Sequence, residues 1–202
     1  MGGVFQVPAL IYKCIADILA LPLSLIINES FHKGVFPSHL KLALVTPIYK
    51  KGDKSEPSNY RPISSLPILS KIFESTIKDQ ITCFLEKEHL ISDRQFGFRK
   101  HHSSEQLLQS LLNDWRTSLD DKSPLYITAM SLDIQKAFDS VNYKILISKL
   151  SQFDVSPTTI KLISSYLSNR KQAMKIGNCI SVPLPITCGV PQGSILGPLL
   201  SD

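Results

Sequence analysis

Apolar residues recur at helical spacing in two long segments of the chain. In residues 66–90 they are Leu69, Ile72, Phe73, Ile77, Ile81, Phe84 and Leu85, and in residues 103–119 they are Leu107, Leu108, Leu111, Leu112, Trp115 and Leu119. Apolar residues spaced three or four positions apart form one face of an amphipathic helix. The pair Ser103 and Gln106 has the S-x-x-Q spacing of a capping box, which predicts where the second helix starts. We predict two helices and interpret both apolar faces as core.

Two further helices are predicted from the residues that precede them. Asn142 can cap a helix over residues 142–150. Ser156 and Pro157 place a cap and a first-turn proline, in the expected order, before a helix that runs through Leu167.

The apolar N-terminal segment predicts a buried helix over residues 8–28. Lys13, Asp17 and Pro22 interrupt this segment. Its longest uncharged part is therefore too short to cross a bilayer, whose hydrocarbon core is about 30 Å thick. The first residues also lack the basic-then-apolar order of a signal peptide. We expect no membrane segment and an intracellular protein, nuclear or cytoplasmic.

Strands are predicted where apolar and β-branched residues form short runs. Residues 42–49 (LALVTPIY), the polar turn at residues 50–53 and residues 59–65 (NYRPISS) together predict a hairpin that carries basic residues. Residues 125–132 (LYITAMSL) predict a buried strand that ends on Asp133.

A second pair of strands is predicted nearer the C-terminus, over residues 171–176 and about 179–187, with a Gly-Asn turn between them. Pro183 and Pro185 restrict the second strand to an edge or to an irregular path, because proline has no N–H to donate. This mixture of helices and strands predicts an α/β (α+β) fold.

Composition and charge narrow the class of protein. The chain has 202 residues, of which 43% are hydrophobic and 19% are charged, so wholesale disorder is excluded. At roughly 100–200 residues per domain, this length allows one large domain or two small ones. The net charge is +5, and residues 31–61 contribute +4 of it, from six Lys and Arg against two Asp and Glu. Such a patch suits a polyanion, although a solvated surface loop explains the charge alone equally well.

The cysteines do not predict a metal site or a disulfide scaffold. Cys14, Cys83, Cys179 and Cys188 lie far apart, without a C-x-x-C pair or a histidine at metal-ligand spacing. This usage fits a reducing compartment.

Asp133 is the first residue with candidate chemistry. It follows an apolar predicted strand, at the kind of position where α/β folds bind ligands. Its carboxylate and the backbone carbonyl of Ile134 are oxygen ligands suited to Mg²⁺. One carboxylate is too few for two-metal phosphoryl transfer, and Asp139, six residues later, need not face the same way. A loop carboxylate that caps a backbone N–H is the alternative interpretation.

The residues from Gly189 to Gly193 form a second candidate site. Two glycines flank Val-Pro-Gln, so the backbone can approach a ligand closely and the Gln192 amide can donate to a nucleotide or sugar. Ser194 can cap a helix that follows. A bare turn between a strand and a helix is the alternative.

The predicted hairpin supplies a third candidate site. Lys50, Lys51 and Arg61 offer ammonium and guanidinium groups suited to a triphosphate or a nucleic-acid backbone. Solvated surface charge is again the alternative.

The order of these motifs resembles one known family, the reverse transcriptase domain of non-LTR (LINE-type) retrotransposons. The matching stretches are LALVTPIYKKGD, NYRPISSLPILSKIFE, QFGFRKHHSS, SLDIQKAFDSV, YLSNRKQ and GVPQGSILGPLL, all in the family's order and at compatible spacings. Together with a similar lead-in segment, they cover essentially the whole chain. The combination of KAFD and GVPQGS…GPLL after KKGD…NYRPIS is very specific.

The resemblance implies a right-hand polymerase fold and an RNA-directed DNA polymerase activity. Residues 1–120 would be the fingers-like part and residues 121–202 a partial palm, without a thumb or an endonuclease. The implied reaction is attack of a primer 3′-OH on the α-phosphate of a deoxynucleoside triphosphate, with two Mg²⁺ ions as cofactor. The implied partners are an RNA template, a DNA primer and deoxynucleoside triphosphates, and no membrane.

The resemblance also assigns roles to individual residues. Asp133 matches the first catalytic aspartate, a ligand of both Mg²⁺ ions, with the Ile134 carbonyl assisting. Phe138 matches the bulky residue that excludes a ribose 2′-OH. Asp139 is interpreted as structural.

Other matched positions imply contacts with substrate. Gln192 and the backbone near Gly193 match residues at the incoming nucleotide, and Lys50 and Arg61 match cations on its triphosphate. The positions implied to contact nucleic acid are Lys51 and Arg99.

The family's next motif, an aromatic-x-Asp-Asp hairpin, does not occur in these 202 residues. We therefore expect marginal folding, an open edge on the strand over 125–132, and no polymerase activity from these residues alone. Three interpretations stay open: a reverse transcriptase domain fragment, a non-catalytic nucleic-acid-binding protein derived from such a domain, and a product without function.

Overall fold

The computed structural model of the chain describes residues 7–120 and 126–201. Within them it is a mixed α/β structure that contains one sheet, as the predicted fold class requires. Contacts divide the chain into two compact units. Unit 1 comprises residues 1–80 and 136–202, and unit 2 comprises residues 81–135. None of the helices in the described ranges is both long and apolar enough to cross a membrane.

The helices have the following bounds: α1 Ala9–Cys14, α2 Ala16–Lys33, α3 Ile68–Lys87, α4 Ser104–Leu119, α5 Tyr143–Gln152, α6 Pro157–Leu167 and α7 Gly197–Ser201. The predicted helix starts at α5 and α6 are confirmed. The side chain of Asn142 accepts a hydrogen bond from the Lys144 N–H, and that of Ser156 accepts one from the Thr159 N–H. These caps satisfy backbone donors that a first helical turn leaves unpaired.

The strands have the following bounds: β1 Leu42–Tyr49, β2 Tyr60–Ser65, β3 Lys171–Ile176, β4 Cys179–Ile180 and β5 Leu184–Pro185. The sheet order is β2-β1-β3-β4, and β5 also pairs with β3. The predicted hairpin is confirmed, since β1 and β2 are antiparallel with Thr46 opposite Ile63. β1 and β3 are parallel, with Leu44 opposite Ala173. The strand predicted over 179–187 is interrupted, as its prolines indicated.

The core of unit 1 is centred on three aromatic rings. Phe36, Phe73 and Tyr166 are each 2% exposed or less. The Phe36 ring packs edge-on against the other two, with centroid distances of 5.7 Å to Phe73 and 5.0 Å to Tyr166. Such edge-to-face pairs contribute roughly 0.5–1.5 kcal/mol beyond the burial of their area. This cluster joins the segment after α2 to helices α3 and α6.

The strand predicted over 125–132 is wrong for the residues that the structure describes. Residues 126–135 have no regular secondary structure, and Tyr126, Met130 and Leu132 are at least 81% exposed. Leu125 lies outside the described residues. An apolar run becomes a strand only where a neighbouring strand pairs its backbone groups, and the described part of unit 2 contains none.

Two of the three predicted apolar helix faces are less buried than predicted. On α3, Phe73, Ile77 and Ile81 are buried, which confirms that face as core. On α4, none of the residues is buried, although both bonds of the predicted capping box are present. The helical structure predicted over 8–28 is confirmed as α1 and α2, but most of α2 is exposed as well, so the predicted burial is wrong. Periodicity specifies which face of a helix is apolar but not what covers it.

We predict that Phe36→Ala lowers the free energy of unfolding by about 3–5 kcal/mol, because it empties a site at the centre of the ring cluster. Phe98→Ala is the matched control, since the Phe98 side chain is 66% exposed, and we expect a change of less than about 1 kcal/mol. Urea unfolding of both variants measures the difference. Equal losses would contradict the assignment of Phe36 to the core.

Candidate functional site

The turn at residues 189–193 is fixed at its first end by three hydrogen bonds. The Gly189 N–H donates to the Val141 carbonyl at 2.9 Å, and the Val190 N–H donates to the Phe138 carbonyl at 2.7 Å. The Tyr143 hydroxyl donates to the Gly189 carbonyl at 2.7 Å. Because the N–H and C=O groups of Gly189 and the N–H group of Val190 are all hydrogen-bonded, the backbone at this end of the turn has little conformational freedom.

The second end of the turn is attached to strand β2. The Ser64 N–H donates to the Gln192 carbonyl at 2.7 Å. Gly193 has φ +113°, and a Cβ at this position would lie 2.7 Å from the Ser64 carbonyl oxygen. Only glycine fits so close an approach in this backbone conformation. The turn therefore pairs with β2, the outer strand of the sheet, and covers part of its free edge.

A cleft of about 410 Å³ lies beside the turn. One wall consists of sheet residues, with Val45 of β1, Ser64 of β2 and Met174 of β3 on the same face by register. Residues 186 and 188–192 also line the cleft, so Gln192 is among the residues there. Asp139, interpreted from sequence as structural, also lines it. The cleft can therefore offer an amide and a carboxylate to a polar ligand.

Glu74 accepts hydrogen bonds from the backbone between the turn and helix α7. Its side chain is fully buried. One carboxylate oxygen accepts the N–H groups of Ile195 at 2.7 Å and Leu196 at 3.4 Å, and the other accepts the Ser70 hydroxyl at 3.0 Å. Burial raises the pKa of Glu74, and these hydrogen bonds and the charge of Arg170 act in the opposite direction. Sequence reasoning missed this residue, although a carboxylate beside the apolar face of α3 was a visible signal.

Two buried cations lie in the same unit. The guanidinium of Arg170 lies 4.6 Å above the Tyr166 ring and donates to the Tyr166 carbonyl at 3.2 Å. The Lys41 ammonium donates to the Ser165 carbonyl, and burial lowers the pKa of Lys41, with a further lowering from Arg170. Lys41 therefore does not belong to an exposed basic patch, although it contributed to the charge of residues 31–61.

Of the exposed cations of the predicted patch, Lys33 lies on α2 and pairs with Glu29, and four others are on the hairpin. These four are Lys50, Lys51, Lys54 and Arg61. Within residues 7–120 and 126–201, none of the four pairs with a carboxylate. The hairpin is braced by an edge-to-face contact of Tyr49 with Tyr60 at 5.6 Å. Four cations without carboxylate partners form a surface suited to an anion.

Arg61 is not brought together with Gln192 at the cleft. Arg61 and Ser64 are three positions apart on β2, so their side chains project from opposite faces of the sheet. Ser64 lines the cleft, whereas Arg61 does not. The hairpin cations and the cleft are therefore separate features of unit 1.

Of the remaining predicted residues, Phe138 is in unit 1, and Asp133, Ile134 and Arg99 are in unit 2. Asp133 and Ile134 lie in the exposed segment without regular structure, and in the described ranges no group of three or more His, Cys, Asp or Glu is placed to hold a metal ion. The donor set around Asp133 is thus too small for a metal site by itself.

Arg99 is engaged within unit 2 and is 12% exposed at its side chain. Its Nε and Nη2 donate to the two carboxylate oxygens of Glu86 at 2.9 and 2.8 Å, and Nη1 donates to the Ser92 carbonyl at 3.0 Å. These hydrogen bonds lower the pKa of Glu86. This bidentate pair braces the loop after α3.

Comparison with known proteins decides the family. Residues 48–202 match the family described as reverse transcriptase (RNA-dependent DNA polymerase). The chain belongs to the reverse transcriptase family. The resemblance to non-LTR retrotransposon reverse transcriptases is thereby confirmed. In general, members of this family use divalent metal ions, a nucleic-acid template and nucleotide substrates.

Several relatives of this reverse transcriptase domain come from mobile elements. It is 36% identical over 200 residues to the probable RNA-directed DNA polymerase from transposon BS of Drosophila melanogaster, covering 96% of this chain and 22% of that protein. It is 37% identical over 194 residues to the corresponding protein from transposon X-element of the same fly, covering 93% and 21%. It is 35% identical over 189 residues to the RNA-directed DNA polymerase from mobile element jockey of Drosophila funebris, covering 93% and 20%. The chain spans about a fifth of the length of these curated relatives.

We predict that Gly193→Ala destabilises this reverse transcriptase domain more than Gly177→Ala does. Both glycines have positive φ, but a Cβ at Gly177 would meet nothing within 4 Å. Gly177→Ala, the control, should lower the free energy of unfolding by about 1–2 kcal/mol because of the backbone conformation alone. At Gly193 the clash should lower it by about 1–3 kcal/mol more. Urea unfolding compares the two variants. Equal costs would show that the turn does not press against β2.

We also predict a pH dependence from Glu74. Its raised pKa means that the native state binds a proton more tightly than the unfolded chain, so this stabilisation is present below the unfolded-state pKa and is lost as pH rises through the raised pKa. The free energy of unfolding of the wild type should therefore fall relative to Glu74→Gln across that window, by at most about 1.4 kcal/mol per pH unit. Urea unfolding of both proteins from about pH 4 to about pH 8 measures this. A difference that rises with pH would contradict it.

Proposed function

We propose that this chain forms the nucleotide- and template-binding part of an RNA-directed DNA polymerase, with residues 1–120 fingers-like and residues 121–202 part of a palm. The observation that carries the proposal is the fixed turn at residues 189–193, whose residues, Gln192 among them, line a cleft. A glutamine amide held on a restrained turn can discriminate among ligands because it does not reorganise on binding.

In this proposal, Gln192 and the backbone near Gly193 contact the incoming deoxynucleoside triphosphate. Phe138 is proposed to exclude a ribose 2′-OH. Its carbonyl accepts the Val190 N–H, and its ring lies 3.3 Å from the Cβ position of Gly197. One edge of the ring thus lies beside α7, and Phe138 is not among the residues that line the cleft, so its role as a steric filter rests on its position in the family's motif.

The cations are proposed to bind phosphates. By the family's motif, Lys50 and Arg61 would contact the triphosphate, and Lys51 and Arg99 would contact nucleic acid. Neither Lys50 nor Arg61 lines the cleft beside Gln192, so the motif and the exposed charge support the triphosphate contacts and the cleft geometry does not. The exposed hairpin cations support the first three assignments, because they lack carboxylate partners within the described residues. Arg99 has donors left after its bonds to Glu86 and Ser92, since a guanidinium carries five N–H groups.

Asp133 and the Ile134 carbonyl are proposed as the chain's contribution to the Mg²⁺ site. The described residues do not complete that site, because none of them form a group of three or more His, Cys, Asp or Glu side chains placed to hold a metal ion. What the chain's own residues do in nucleotidyl transfer is therefore bind and orient the triphosphate and exclude the wrong sugar.

A non-catalytic nucleic-acid-binding function is the second candidate, and the exposed hairpin cations favour it. Both candidates predict phosphate contacts, but only the polymerase function predicts selective binding of a deoxynucleoside triphosphate at Gln192. The two are therefore distinguishable by binding measurements on one set of variants.

The test measures binding of a fluorescent 2′-deoxynucleoside triphosphate in MgCl₂ to residues 1–202. We expect Gln192→Ala to weaken binding about tenfold, since a lost hydrogen bond of about 1.4 kcal/mol corresponds to that factor. Lys87→Gln is the control, because Lys87 is an exposed cation outside the hairpin. An RNA–DNA duplex is titrated in parallel at several salt concentrations, with Lys50, Lys51 and Arg61 replaced by Gln.

Two outcomes separate the functions. Nucleotide binding that Gln192→Ala leaves unchanged, or no nucleotide binding at all, would refute the polymerase assignment. Salt-dependent duplex binding that the hairpin variant weakens, without nucleotide binding, would support the nucleic-acid-binding function instead.

A further inference from the structure

We propose that Glu74 is a positioning residue for the nucleotide site, acting through the backbone at residues 194–196. Its buried carboxylate fixes the chain directly after the turn that carries Gln192. This inference rests on the proposed function, because it gives Glu74 a role in binding the nucleotide there.

The first step is the geometry. The Glu74 carboxylate accepts the N–H groups of both Ile195 and Leu196 on one oxygen. These donors lie three and four residues after Gln192. A carboxylate that accepts two successive backbone N–H groups holds that backbone in one orientation, as an N-cap does at a helix start.

The second step is that the other fixed points of the turn lie on its N-terminal side or at Gln192 itself. Gly189 and Val190 are bonded to the segment at 138–141, and the Gln192 carbonyl is bonded to Ser64. Beyond Gln192, the Ser194 N–H returns to the Pro191 carbonyl at 3.0 Å, a bond within the turn. Glu74 therefore supplies a hydrogen-bonded attachment of the backbone that follows Gln192 to the protein body.

The third step is the chemistry that this position requires. Glu74 is fully buried, so water has little access to replace its acceptor oxygen if the side chain is removed. A buried backbone N–H without a partner costs more than the net value of the bond that it loses. Ser70 donates to the other carboxylate oxygen at 3.0 Å and so fixes the orientation of the carboxylate. Arg170, also fully buried, supplies a positive charge that favours the ionised carboxylate.

The experiment compares Glu74→Gln and Ser70→Ala with the wild type. Glu74→Gln keeps the size of the side chain but removes its charge, so in either orientation of the amide its single oxygen is a weaker acceptor than a carboxylate. Ser70→Ala removes only the hydroxyl that orients the carboxylate. Glu88→Gln is the matched control, because Glu88 is an exposed glutamate whose carboxylate lies 3.9 Å from the Lys87 ammonium. Each protein is measured by hydrogen exchange of peptides over 189–197 and by affinity for the fluorescent deoxynucleoside triphosphate in MgCl₂.

We expect Glu74→Gln to speed exchange at Ile195 and Leu196 about tenfold and to weaken nucleotide binding by a similar factor. Ser70→Ala should change both in the same direction by less, and Glu88→Gln should change neither. Exchange in β1 and α6 should stay at wild-type rates. A role confined to general stability would instead speed exchange throughout unit 1.

Wild-type exchange at 194–197 or wild-type nucleotide affinity in Glu74→Gln would overturn the inference. If Glu74→Gln does not fold, Ser70→Ala decides by the same two readouts. If the wild type binds no nucleotide, the proposed function fails, and the positioning role falls with it even where exchange shows that Glu74 holds the backbone. If the wild type and Glu74→Gln bind the nucleotide with equal affinity, the positioning role of Glu74 fails and the proposed function stands.

Discussion

The parallel pairing of β1 with β3 is the interaction on which the rest of unit 1 depends. It joins segments separated by more than 120 positions, with Leu44 opposite Ala173. Parallel strands require a long connection, so their pairing fixes distant parts of the chain only after that connection is closed. The sheet wall of the cleft, with Val45 and Met174 on the same face, exists only because this register is set.

The turn at residues 189–193 then covers part of the free edge of β2. An outer strand presents unpaired N–H and C=O groups, and the Ser64 N–H uses the Gln192 carbonyl as its partner. The same contact that covers the edge therefore holds the residue that lines the cleft. This one hydrogen bond therefore both pairs a backbone group of the edge strand and fixes the backbone of Gln192. Gly193 is required next to it, because any side chain there would press on the Ser64 carbonyl.

Local chemistry was predictable from sequence where the deciding partners are close along the chain. The hairpin, the capping box at Ser103 and the caps at Asn142 and Ser156 depend on residues within a few positions, and all are confirmed. Burial depends on elements far away, which periodicity does not specify. This is why the face of α4 and the run at 126–132 were assigned to the core although they are exposed.

The same distinction applies to the candidate site. Gln192 was found because glycines and a proline mark its turn, whereas Glu74 acts on residues more than 120 positions away. Its signal was a carboxylate beside an apolar helix face, with Ser70 one turn earlier. A charged residue at such a position needs donors, and only the fold shows that backbone N–H groups supply them.

The proposed nucleotide contact at Gln192 and the proposed metal ligand Asp133 differ in how firmly the backbone is held at each. Gln192 lies on a turn whose backbone is bonded to β2, to residues 138–141 and, through the next residues, to Glu74. Asp133 lies among exposed apolar residues on backbone without regular structure. A functional group has to be held within about 0.5 Å of its working geometry. Within the described residues, Gln192 therefore lies on the fixed backbone that its proposed contact needs, whereas Asp133 lies on exposed backbone without regular structure.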